Sequence, residues 1–141
     1  MVSNLHVQKA IEIAVKYHSS QVDRSGDIYI LHPLRVMTTM FTPEERVIAV
    51  LHDILEDTII TKEYLLTLFP TDVVEDICCL TKSKEESYDD FIQRVKLNPR
   101  ARKIKLADIC DNISFTRVVK LPEEQRSKLI NKYSKAWLEL Q

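Results

Sequence analysis

A single glycine, Gly26, has to serve the whole sequence. Barrels, sandwiches and doubly wound sheets spend glycine on turns and phosphate loops, so its near-absence argues against all three and leaves a helical fold. Cysteine is almost as sparse. Cys78, Cys79 and Cys110 make an odd number without CxxC spacing, which excludes a disulfide framework and a zinc knuckle. Cys78 and Cys79 close the apolar run Val73–Leu80 and read as buried small hydrophobes in a reducing compartment. An excess of either charge is missing too: 20 lysines and arginines face 21 aspartates and glutamates, for a net charge of -1. That balance argues against a general binder of nucleic acid or membrane surfaces, but leaves room for a local basic pocket. No apolar segment approaches membrane-spanning length, and the N-terminus lacks a signal-peptide stretch, so the expectation is a cytoplasmic protein. Oligomeric state is left open.

What is present is helical periodicity. Apolar residues recur at helix spacing from Asn4 to Tyr17, and His32-Pro33 opens a short helix toward Phe41 after a polar loop, Ser19 to Asp27. Thr42-Pro43-Glu44-Glu45 is a helix start, with a capping threonine, proline in the first turn and acids on the positive end of the dipole. The helix it opens carries Val47, Ile48, Val50, Leu51, Ile54 and Leu55, is apolar around most of its girth, and is expected at the centre. Further starts fall at Thr61, Thr71, Ser87, Pro99 and Pro122. The pattern predicts an all-α bundle of about seven helices forming one domain over residues 1–141. A chain of this length buries a core unaided, so a bound metal would be free for chemistry.

The central helix also carries His52, Asp53, Glu56 and Asp57. Charges in so apolar a helix are costly unless paired or metal-bound. Asp53, Glu56 and Asp57 stand at i, i+3 and i+4, so three carboxylates share a face, where a divalent cation would relieve their repulsion. A second apolar helix is interrupted by Asp108 and Asn112, again at i and i+4. That spacing suits a carboxylate ligand beside a substrate-binding amide, and equally a buried Asp–Asn hydrogen bond. His32 precedes a proline, which disfavours helical backbone and predicts a loop–helix junction for it. Together His32, His52, Asp53 and Asp108 make a mixed nitrogen and oxygen donor set for manganese, iron or zinc.

The string His18-Ser19-Ser20-Gln21-Val22-Asp23-Arg24-Ser25-Gly26-Asp27-Ile28-Tyr29-Ile30-Leu31-His32-Pro33 is followed by Leu51-His52-Asp53-Ile54-Leu55-Glu56-Asp57-Thr58 and by Ile104-Lys105-Leu106-Ala107-Asp108. In that order these motifs resemble the HD-domain hydrolase part of the RelA/SpoT alarmone enzymes and their small stand-alone relatives, the metazoan SpoT-homologue type among them. The resemblance implies an HD-domain bundle and one manganese held by His32, His52, Asp53 and Asp108. It implies that Glu56 and Asp57 activate the attacking water, that Arg24 contacts the guanine, and that Asn112 lies near the ribose. Lys105 joins Arg24 as a candidate cation for the diphosphate. The reaction implied is removal of the 3′-pyrophosphate from ppGpp. Ile28, Ile109 and the stretch Ile113-Ser114-Phe115-Thr116 depart from the family pattern around the substrate. Alternatives on the same residues are therefore a phosphatase for NADPH or nucleoside phosphates, and a non-catalytic nucleotide-binding module. The chain has no room for the separate synthetase domain.

Overall fold

A computed structural model describes all 141 residues, and the architecture is all-helical. Ten helical segments follow one another: α1 (Asn4–Tyr17), α2 (Leu31–Thr38), α3 (Pro43–Val50), α4 (Ile54–Asp57), α5 (Lys62–Leu66), α6 (Thr71–Cys79), α7 (Tyr88–Lys96), α8 (Pro99–Asn112), α9 (Phe115–Val118) and α10 (Glu123–Glu139). The only extended pairing is one antiparallel bridge, Val22 to Ile28, in the α1–α2 loop. Gly26 supplies a positive φ of 90° inside it, where a side chain would be strained. Asp23 ties this loop together by accepting hydrogen bonds from the Ser25 and Asp27 amides.

The helix starts lie where their chemistry puts them. Thr42 Oγ1 accepts the Glu45 amide, while the Glu45 carboxylate reaches back to the Thr42 amide, a reciprocal capping box. Ser87 and Asn98 cap α7 and α8 through Asp90 N and Ala101 N. Helix α3 is the centre of the domain: Val47, Ile48, Ala49 and Val50 have no exposed surface, and α1, α2, α6 and α8 pack around it. One contiguous cluster of 27 buried apolar residues runs from Val2 to Leu140. Helix α10 completes it, laying Ala136 and Leu140 inward against α7 and α8.

Three expectations are corrected. The central helix does not run unbroken through the acidic residues: it stops at Val50, and α4 begins at Ile54. His32 lies at the expected loop–helix junction, but inside the first turn of α2 with helical and not extended backbone. Packing of α2 on α3 and α8, with anchoring of the His32 ring, overrides the local preference set by Pro33. Cys78 and Cys79 are half-buried, packed on the margin of the core, with their thiols pushed up by partial burial; Cys110 is exposed.

Candidate metal and substrate site

The interruption between α3 and α4 shapes the site. His52 N reaches only to Ala49 O, Ile54 N to Leu51 O, and Asp53 sits at φ -104°, ψ 1°, so three residues form a tight non-helical turn. The turn frees carbonyls at the end of α3, and His52 takes one of them, donating Nδ1–H to Ala49 O at 2.6 Å. Its Nε2 is thereby left as the atom that takes up a proton or a metal. That atom is fully buried with no hydrogen-bond partner, and lies 3.1 Å from Asp53 Oδ2 and 3.4 Å from Asp108 Oδ1.

His32 approaches from α2. Its Nε2 is 2.9 Å from Asp108 Oδ1 and 3.9 Å from Asp53 Oδ2, and its Nδ1 is 2.6 Å from Asp111 Oδ2. Donor atoms of His32, His52 and Asp53 lie within 4.8 Å of one another, with Asp108 Oδ1 beside both imidazoles. The predicted quartet therefore converges, drawn from α2, the α3–α4 turn and α8. With neither a proton nor a cation between them, the two imidazole nitrogens and the two carboxylate oxygens would repel. Burial lowers the affinity of His52 for a proton, but Asp53 and Asp108 reverse this and hold its pKa well above the usual imidazole range. Burial raises Asp53, yet the His52 charge brings it down to about 2. A cation is what this arrangement calls for, and the nitrogen and oxygen donors fit a first-row divalent ion.

Lys105 and Asn112 are built into that quartet. Lys105 Nζ donates to Asp108 Oδ2 at 2.7 Å, and Asn112 Nδ2 to Asp108 Oδ1 at 3.1 Å, so the Asp–Asn hydrogen bond foreseen from their spacing is present. Both also line a cleft of ≈ 390 Å³ that opens from the quartet. Glu56 and Asp57 stand on its rim, exposed. Glu56 accepts the Lys82 amide at 2.9 Å, turning its carboxylate toward the loop after α6. Asp57 has its carboxyl raised to about 6, first by partial burial and then by the charges of Asp53 and Glu56. Arg24 and Lys132 are exposed at the cleft and Lys82 is half-buried there, and none of the three pairs with a carboxylate. The apolar wall comes from Tyr88, Phe91 and Tyr133.

Several residues at the site carried no signal in the sequence. Tyr29 donates its hydroxyl to Asp53 Oδ2. Gln21 Oε1 accepts from His18 Nδ1–H at 2.8 Å and its Nε2 donates to the Asp57 carbonyl at 3.0 Å, fastening the end of α4 to the start of the α1–α2 loop. Asp111, Arg35 and Arg117 form a half-buried ionic group behind His32. Arg117 is the residue a charge-pattern search could have found, as the one cation of the short α9, but its partners Asp23 and Asp111 lie far apart in sequence.

No family model matches the chain. The guanosine-3′,5′-bis(diphosphate) 3′-pyrophosphohydrolase of Aquifex aeolicus is 32% identical over 135 residues, covering 87% of this chain and 19% of that protein. A probable GTP pyrophosphokinase of Mycobacterium leprae is 35% identical over 135 residues, covering 86% and 17%. A second 3′-pyrophosphohydrolase, from Spiroplasma citri, is 32% identical over 137 residues. The chain thus spans about a fifth of the length of the curated relatives it matches. A solved structure of a metazoan SpoT ortholog, described as hydrolysing ppGpp, superposes with a TM-score of 0.82 at 24% identity, covering all of this chain and 88% of the other.

Proposed function

We propose that this chain, homologous to one segment of the RelA/SpoT-type proteins, is a single-domain metal-dependent phosphohydrolase that removes the 3′-diphosphate from ppGpp, yielding GDP and pyrophosphate. The observation that carries the reading is the buried, unpartnered Nε2 of His52, aimed with His32 Nε2 at the carboxylates of Asp53 and Asp108. These four side chains hold the cation, for which the family resemblance implies manganese. When bound, such an ion supplies Lewis acidity toward a phosphoryl oxygen and toward water.

The protein's own groups do the rest. Asp57, with its carboxyl near 6, is ionised at neutral pH yet basic enough to take a proton from the attacking water, and Glu56 orients that water from the same rim. Lys105 fixes Asp108 in place. Arg24, Lys82 and Lys132 offer unpaired positive charge to the phosphates of the substrate. Tyr88 and Tyr133 provide flat apolar surface for a base, and Asn112, at the junction of quartet and cleft, contacts the ribose.

A panel of ppGpp, pppGpp, NADPH and deoxynucleoside monophosphates, each with manganese, tests the reading. Turnover of the guanosine bis(diphosphates) well above the others is the expected result. Preference for NADPH or a monophosphate would assign the same site to another nucleotide, and tight ppGpp binding without turnover under several metals would make it a binding module.

A further inference from the structure

We propose that Asp111 is a positioning residue of the metal site, holding the His32 ring so that Nε2 presents its lone pair to the quartet; this rests on the reading that the quartet takes a divalent cation. Helix α8 brackets both nitrogens of one imidazole. Asp108 Oδ1 stands 2.9 Å from His32 Nε2, and Asp111 Oδ2, three residues on, stands 2.6 Å from Nδ1. His32 is 2% exposed, so neither nitrogen turns to solvent instead.

Asp111 is itself held in place. Arg35 donates from Nε to Oδ1 at 2.8 Å and from Nη2 to Oδ2 at 3.1 Å, and Arg117 donates from Nη1 to Oδ2 at 2.9 Å. Two guanidinium groups keep the carboxylate ionised, hence an acceptor only, so its 2.6 Å hydrogen bond to the ring puts the proton on Nδ1; Arg117 Nη1 lies farther from that nitrogen, at 3.2 Å, and spends its protons on Asp111 and Asn112. That fixes the tautomer in which Nε2 is free to bind a metal. His52 reaches the same tautomer by another device, the Ala49 carbonyl. Arg117 extends the frame, donating to Asn112 Oδ1 at 3.0 Å and pairing with Asp23 at 3.3 Å. The ring orientation is therefore tied to the loop and to α9 as well as to α2. Carboxylates that orient a metal-binding histidine typically contribute 10- to 100-fold in metal affinity.

The test uses the whole chain as Asp111→Ala, Asp111→Asn and, as a control, Asp76→Asn. Asp76 is buried and pairs with Arg100 at 2.6 Å, away from the cleft, so its loss reports a merely structural ion pair. Affinity for manganese(II) alone is read from the electron paramagnetic resonance signal of the free ion, and folding from circular dichroism. Asp111→Ala is expected to weaken manganese binding roughly 10- to 100-fold. Asp111→Asn should weaken it less, since the amide oxygen still accepts from Nδ1–H, and Asp76→Asn should leave it unchanged. Wild-type affinity in folded Asp111→Ala overturns the proposal, as does an equal loss in Asp76→Asn. Should Asp111→Ala fail to fold, Asp111→Ser, too short to reach Nδ1, replaces it, and wild-type affinity in that folded variant overturns the proposal. A wild-type chain that takes up no manganese overturns the metal reading, and this inference with it.

Discussion

Replacing Asp57 with asparagine should make the metal-free protein more stable while removing its activity. The carboxyl of Asp57 is lifted from 3.8 to about 6 by partial burial and by its neighbours Asp53 and Glu56. A shift of roughly two units at about 1.4 kcal/mol each sets a ceiling near 3 kcal/mol. Asp57 is exposed on the cleft rim, so solvent screening reduces this to about 1 kcal/mol. Because the folded-state value is raised, the charged form is the one the fold disfavours. The penalty is complete above about 6, fades as pH falls through 6, and is gone below 3.8. Asp57→Asn is isosteric and cannot ionise. Thermal denaturation of the chelated protein at pH 7.5 should therefore show a gain of about 1 kcal/mol, or roughly 3 °C, that vanishes at pH 4. With saturating manganese the gain should shrink, because the cation offsets the charge of Asp53. Manganese-dependent turnover of ppGpp should fall ~10²- to 10⁴-fold in the same variant. Lower stability at pH 7.5, or a gain equal at both pH values, would refute the claim that Asp57 is held under electrostatic load.

Two further outcomes follow from the geometry. Asp53→Ala should abolish manganese binding and turnover yet leave helical content near wild type by circular dichroism, since Asp53 lies in the turn between α3 and α4 and outside the apolar core. Thr42→Ala removes the cap on the central helix, and chemical denaturation should show a loss of about 1 kcal/mol with manganese affinity untouched.

The helices that were legible in the sequence are those whose ends are written in side-chain chemistry. Thr42, Ser87 and Pro99 mark true starts because each supplies or spares a hydrogen bond that a first turn leaves open. The breaks at Leu51–Asp53 and at Ile113–Ser114 carry no glycine or proline, so the eight helix starts behind the expected bundle of about seven helices become ten segments. The first of these breaks is compensated by the His52 side chain reaching Ala49 O, a contact that no local pattern announces. The quartet His32, His52, Asp53 and Asp108 was legible because buried ionisable groups stand out in apolar helices, even though His32 was placed in the wrong backbone class. What stayed hidden is the layer that holds the quartet. Asp111 looked like one more acid on α8, and only the fold brings Arg35 and Arg117 to it from 76 and 6 residues away. Lys105 is a partial case. The sequence offers it as a cation for the diphosphate, and the fold adds a bond from its ammonium to Asp108.

The central claim is a metal site that cuts at the 3′-diphosphate, and product analysis tests it most directly. Purified protein, stripped of metal and then supplied with manganese, is incubated with ppGpp and followed by phosphorus NMR. The account predicts GDP and pyrophosphate in equal amounts, with no turnover before manganese is added. Release of orthophosphate in place of pyrophosphate, or equal turnover in the presence of a chelator, would contradict it.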